Sequence, residues 1–203
     1  MATSESSILN SQFSILNSLV PQTHLLPNGQ TLCYFPNNAL GLVKLDITVE
    51  AGSRYQKYKS QAYVANRLFG ETTAKRDAGE VAEFLDFRGI VVEKTTDVCV
   101  GNLSFYFLRR YAEELFELIH EMFDTYSLDN QAFKQSDNSK VFEAICASRR
   151  QQLSVGLQKT SYVARNRFYE LLYGTEHPLG TYAMPEDVDA LTLDAVTDFI
   201  HQH

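Results

Sequence analysis

The order of elements predicts an α+β fold, an antiparallel-rich sheet covered by helices. Three observations carry this. Strand-like alternation is concentrated in the first half of the chain, with two helical stretches inset in it. Apolar periodicity near 3.6 then dominates from Tyr111 to the end, and segregated strands and helices of this kind build α+β domains. No Pro/Gly/Ser-rich linker or charge run interrupts the chain, so residues 23–203 read as one domain behind an N-terminal helical arm, residues 1–22.

The arm carries a short repeat, Ser7-Ile8-Leu9-Asn10-Ser11 returning as Ser14-Ile15-Leu16-Asn17-Ser18. Leu9, Phe13, Leu16 and Val20 form one helical stripe ending at Pro21. Thr23–Leu26 and Thr31–Phe35 flank Asn28-Gly29, which predicts a hairpin with a type I′ turn. Leu42–Val49 alternates as a half-buried strand and is broken at Ala51-Gly52-Ser53. Ser60–Thr73 predicts a short buried helix. Asp77 with Glu80 three residues on is a capping box, opening a helix through Val81, Phe84, Leu85 and Phe87 that Gly89 closes.

Ile90–Thr96 and Asn102–Arg109 predict a strand pair joined near Asp97 and Gly101. Tyr111–Tyr126 places Leu115, Leu118, Ile119, Met122 and Phe123 on one helical face. Asp129 is a candidate cap for a long helix through Phe133, Val141, Phe142, Ile145 and Cys146 toward Leu153. A further helix is expected over Thr160–Leu172, and Thr192 is a candidate cap for the last.

Composition narrows the function classes. A chain of 203 residues, 44% hydrophobic and 21% charged, buries a real core. The formal charge of −7 argues against a nucleic-acid surface, which needs a clustered basic patch. No apolar run reaches the ~20 residues of a membrane span. No basic segment followed by an apolar core marks a secretory leader, so a cytoplasmic location is expected, or an exported one if a leader has been removed. Cys33, Cys99 and Cys146 form no C-x-x-C pair and read as buried, reduced thiols. No Gly-x-Ser-x-Gly elbow or glycine-rich phosphate loop is present.

Tyr63, Asn66 and Arg67 fall at i, i+3 and i+4 of the central helix and so share a face. Around them, Leu26-Pro27-Asn28-Gly29, then Val49-Glu50-Ala51-Gly52-Ser53-Arg54-Tyr55, then Tyr173-Gly174-Thr175-Glu176-His177-Pro178-Leu179-Gly180 with Leu191-Thr192 after it, occur in a telling order. That order resembles the N-terminal domain of the pitrilysin/insulinase-type metallopeptidases, which include the mitochondrial processing peptidase subunits. The resemblance covers residues 23–203 and implies a processing-peptidase-like metallohydrolase fold. It also places Tyr63 and Arg67 where the family has two zinc-binding histidines in His-x-x-Glu-His. Asn66 then stands where the family has the glutamate that activates water, and Glu143 where it has its third ligand.

Those residues do not suit zinc, which needs about three ligands with free lone pairs and an open position. A guanidinium has only donors and keeps its proton, a phenol must surrender one of pKa about 10, and an amide is no general base. Of the histidines, His24, His120, His177, His201 and His203, none forms a motif. No metal or cofactor is therefore expected. Ala62, Val64, Ala65, Leu68 and Phe69 pack a core helix on the simplest reading, and a sharper expectation adds an Arg67–Glu143 ion pair.

The resemblance implies a non-catalytic peptidase-like domain giving chamber wall, peptide contacts or a docking face to a homologous zinc-bearing subunit or second half. A homo-oligomer is a further possibility for assembly. The alternatives are an active zinc peptidase with a rearranged site, or a scaffold unconnected with peptides.

Overall fold

The computed structural model describes residues 20–36, 41–126 and 136–203. The chain divides into two compact units, residues 1–41 and 42–203. The predicted arm helix lies outside the described residues except for Val20, which belongs to no helix.

The first unit contains an antiparallel hairpin, β1 (Gln22–Leu25) with β2 (Thr31–Tyr34), in the register Leu25↔Thr31. Its turn differs from the type I′ expectation. Type I′ needs positive φ at two successive residues, and here only Gly29 has it, at 83°. Leu26 N–H donates to Gln30 O (2.8 Å) and Gly29 N–H to Leu26 O (2.9 Å), so the loop is the three residues Pro27-Asn28-Gly29. Pro27 is the cause: its fixed φ suits the second position of a type I turn, and Gly29 then takes the left-handed position that closes it.

In the second unit the order is β3 (Leu42–Val49), α1 (Gln61–Leu68), α2 (Ala78–Arg88), β4 (Val91–Thr96), β5 (Gly101–Leu108), α3 (Ala112–Thr125), α4 (Ser136–Leu157), α5 (Thr160–Tyr173), α6 (Pro185–Asp189) and α7 (Leu193–Gln202). The fold is α+β as expected. Its sheet is antiparallel in the order β3-β5-β4, with Leu42↔Leu108 and Val91↔Tyr106 fixing the register. β5 is the central strand, and Phe105 and Phe107 on it are fully buried.

Two apolar clusters form the core. One joins β5 to α2 and α3 through Val81, Leu103, Phe105, Leu115, Leu118 and Met122. The other gathers Ala62, Val64, Ala65 and Leu68 of α1 with Cys146, Leu153, Val196 and Phe199 from α4 and α7. Phe69, just past α1, packs against both.

The Asp77/Glu80 capping box forms, with Glu80 N–H donating to Asp77 Oδ1 at 2.8 Å and Asp77 N–H to Glu80 Oε2 at 2.9 Å. Gly89 closes α2 at φ 62°. Thr192 caps α7 through Ala195 N–H (3.2 Å). Asp129 and Phe133 lie outside the described residues.

Two expectations are corrected. Phe87 is 82% exposed, because it falls well round the helix from the buried Val81, and Phe123 is 45% exposed. Cys33 and Cys99 are exposed and Cys146 alone is buried, where burial pushes its thiol above the ordinary value. The hairpin and hairpin-end positions of Cys33 and Cys99 leave them without a covering layer. Helix α6 was not anticipated: Pro185 opens it and Asp187 accepts from Met184 N–H (2.7 Å). Among the described residues no helix is long and apolar enough to cross a membrane.

Replacing Asp77 by Ala removes the acceptor for Glu80 N–H and is expected to destabilise the protein by about 1 kcal/mol, read as a lower urea midpoint at unchanged m.

Candidate functional site

Helix α1 enters from an unusual backbone. Gly52 N–H donates to Cys99 O (3.2 Å), Ser53 N–H to Asp97 O (2.9 Å) and Arg54 N–H to Val98 O (2.9 Å), locking this turn onto the β4–β5 hairpin. A Cβ at Gly52 would lie 2.3 Å from Val98 O, so glycine is required for this close approach. Ser60, buried and at φ 68°, then turns the chain into the helix from the left-handed region.

Ser60 makes no side-chain cap, and glutamines act in its place. Gln56 Oε1 accepts from Ala62 N–H (3.3 Å), and Gln61 Oε1 accepts from the N–H groups of Lys57 (2.8 Å) and Tyr58 (3.1 Å). Gln61 Nε2 donates to Ala195 O at 2.7 Å, tying the helix to α7.

The three motif residues have different fates. Asn66 is buried, and its amide donates to Thr95 O (2.5 Å) and Thr96 Oγ1 (3.0 Å) on β4. Tyr63 is half-buried and lines a cleft of about 260 Å³ with Lys59, Thr96, Asp97, Arg149, Tyr162 and Tyr182. Arg67 is exposed, with its guanidinium carbon 5.6 Å from the centre of the Tyr63 ring.

The expected Arg67–Glu143 ion pair is absent: no Arg67 nitrogen lies within 4.0 Å of a Glu143 oxygen. Glu143 is exposed on α4, and the α4 side chain that reaches Tyr63 is Arg149, about 120° further round that helix. The Arg149 guanidinium stacks 4.0 Å from the Tyr63 ring centre, and its Nε donates to Ser60 Oγ at 3.3 Å. Burial pulls Arg149 below its ordinary pKa and the positive charge of Arg67 adds to this, while Tyr63 and Tyr162 oppose it.

Lys94 secures the other end of α1. Its ammonium donates to Arg67 O (2.9 Å), Phe69 O (2.7 Å) and Glu71 Oε1 (2.6 Å). Burial lowers the Lys94 pKa although Glu71 opposes it. Gly70, at φ 75°, then redirects the chain beneath Met122.

Sequence reasoning missed Arg149 and Lys94, and both left a signal. Arg149 interrupts the inward stripe Phe142, Cys146, Leu153 of α4, and Lys94 shares with Val92 the inward side of β4. A charged residue on an inward register asks for a partner.

Tyr63, Asn66, Arg67 and Arg149 do not fit a zinc ion. Two guanidinium groups bracket the one phenol, and the Asn66 amide is turned to β4 as a donor. Among the described residues no three of His, Cys, Asp and Glu gather as a metal cluster. What this arrangement offers is a cationic, aromatic cleft wall.

Residues 37–173 match the insulinase family, peptidase family M16. No curated protein sequence matches the chain significantly. In fold it is similar to a peptidase M16 inactive domain from Pseudomonas fluorescens (TM-score 0.75, 19% identity, 89% of this chain and 43% of that one). It is also similar to a protease from Helicobacter pylori (TM-score 0.71, 18% identity, 89% and 42%). A third similar structure is a mutant of the ferredoxin protease FusC in complex with Arabidopsis ferredoxin (TM-score 0.64, 15% identity, 92% and 20%). The chain thus spans less than half the length of each of these proteins.

Asn66→Asp exchanges the donor facing Thr95 O for an acceptor, and is expected to cost about 1–3 kcal/mol at pH 7. The carboxyl facing a carbonyl has a raised folded-state pKa. Its protonated form can donate again, so the deficit relative to wild type should shrink as the pH falls toward 4 and grow as it rises. Paired urea titrations at pH 4 and pH 7 measure it.

Proposed function

Because this chain belongs to the insulinase family of peptidases, peptidase family M16, we propose that it is a non-catalytic member domain that has lost the zinc motif. It contributes a peptide-chamber wall or a docking face to a homologous zinc-bearing subunit or second half. Residues 23–203 act as one of the two domains of such a half, with residues 1–22 as an arm.

The observation that carries this reading is the position of Arg149 and Arg67 about Tyr63, where the family's histidines would face a cation. Asn66 supports it, because a side chain holding the backbone of β4 is not presented to a water molecule. The exposed apolar residues of α5 support the docking role: Phe168 is 59%, Leu171 87% and Leu172 58% exposed, a contiguous apolar surface of the kind that marks association. The neighbour bound to ferredoxin is consistent with a polypeptide as the thing contacted.

The test is hydrolysis of an unstructured peptide by the chain alone and mixed with a homologous zinc-bearing half. The expected result is no cleavage by the chain alone, co-elution with the half, and faster cleavage by the pair than by the half alone. Chelator-sensitive cleavage by the isolated chain would overturn the reading in favour of a rearranged site.

A further inference from the structure

β3 is an edge strand that lacks the usual protection of an edge. Among the described residues it pairs with β5 alone, in an unbroken register from Leu42↔Leu108 to Val49↔Gly101. Exposed edges are commonly blunted by proline, a bulge or charged side chains. β3 has no proline and no bulge, and its two charges are paired, Lys44 Nζ lying 2.9 Å from Asp46 Oδ2. Its polar side chains turn toward β5. Lys44 sits over the Tyr106 ring, Asp46 accepts from Ser104 Oγ (2.5 Å) and Thr48 Oγ1 donates to Asn102 Oδ1 (2.7 Å). The backbone N–H and C=O groups on the far side of β3 are therefore open to another strand. The opposite edge differs, because Asn66 of α1 takes the Thr95 carbonyl of β4.

The same strand borders an apolar cavity. Ile47 and Val49 line a space of about 180 Å³ together with Ala62 and Ala65 of α1, Leu103 of β5 and Phe199 of α7. β3 and β5 contribute to its lining and β4 does not, so it lies toward the β3 side of the sheet. An apolar cavity of ~150 Å³ holds a benzene molecule, so this one has room for a phenylalanine-sized side chain. The inward residues of β3, Val43, Leu45, Ile47 and Val49, are only half-buried, whereas Leu103, Phe105 and Phe107 of neighbouring β5 are buried. Open edge and cavity meet at Ile47 and Val49.

We infer that the free edge of β3 takes an extended segment of a partner polypeptide as an added strand, with one of its apolar side chains in the cavity. A row of unpaired N–H and C=O groups at strand spacing is matched by another strand. Alternation then brings every second side chain of that strand to the inner face, where the cavity lies. The inference rests on the reading of the chain as a docking domain for its choice of a polypeptide partner, and adds the face and the form of the contact.

The test titrates the protein with the alternating peptide Ac-Lys-Val-Thr-Phe-Glu-Val-Thr-NH2, following amide shifts and hydrogen exchange by NMR. The β3 amides are expected to become protected saturably. Two further peptides are each N-methylated on one of the two alternating sets of amides. One set faces β3 and the other faces away, so one form should lose binding and the other keep it. Exchanging the peptide's Phe for Ser should weaken binding roughly tenfold, and so should Ala65→Leu, which fills the cavity wall. A urea midpoint for Ala65→Leu no lower than wild type shows that this variant is folded, and the Ser peptide reads the cavity without altering the protein.

Equal binding of the Phe and Ser peptides, or β3 amides no better protected with peptide than without, would overturn the inference. Protection of the β3 amides that rises with protein concentration in the absence of peptide would overturn it in favour of a second copy. No zinc-bearing half is present in these titrations, so their outcome stands whether or not the chain co-elutes with one.

Discussion

The structure depends on an exchange of hydrogen bonds between α1 and β4. β4 is an edge strand, and Asn66 of α1 donates to its Thr95 carbonyl. Lys94 of the same strand reaches back and donates to the Arg67 and Phe69 carbonyls at the helix end. An eight-residue helix is too short to persist on propensity alone, and its terminal polar groups must be satisfied by something. Here Lys94 of the strand and Gln56 supply partners and Gln61 ties the helix to α7, so the helix can carry four buried apolar side chains into the core. Phe69, packed on both clusters, makes the end of α1 the point where the sheet-side and helix-side cores meet.

That anchoring explains how the face of α1 could change chemistry without a change of fold. The side chains that fix the helix are Gln61, Asn66 and the apolar set, while Tyr63 lines the cleft and Arg67 is exposed. An amide at position 66 has donors to give to β4, whereas a carboxylate has none. Asn66 uses those donors to hold the Thr95 carbonyl. Beside the Tyr63 ring the two charges are cationic and carried by guanidiniums, which cannot ligate a metal.

Much of the fold was legible because local signals agreed with tertiary demand. The Leu42–Val49 strand, the Asp77/Glu80 box, Gly89 and the Thr192 cap all sit where their residue types dictate. The hairpin turn was misread because Asn-Gly outweighed the adjacent proline, whose fixed φ decides the turn type. That Tyr63, Asn66 and Arg67 lie on one short helix was legible from spacing, but not their surroundings. Which α4 residue meets Tyr63 depends on helix rotation, and looking only for an acid there led to Glu143 rather than Arg149. Lys94 was overlooked because an alternating strand hides a single polar residue among inward positions.

The central proposal is that α1 stands where the family has its zinc helix while the guanidiniums about Tyr63 repel a cation. Calorimetric titration of metal-free protein with zinc at pH 7.4 (a pH of about neutral, where imidazole would be unprotonated) tests it most directly, with metal content measured after dialysis. The account predicts no saturable heat and no retained zinc. Tight, one-to-one zinc binding would contradict it, and would mean that the metal does not sit at Tyr63, Asn66 and Arg67.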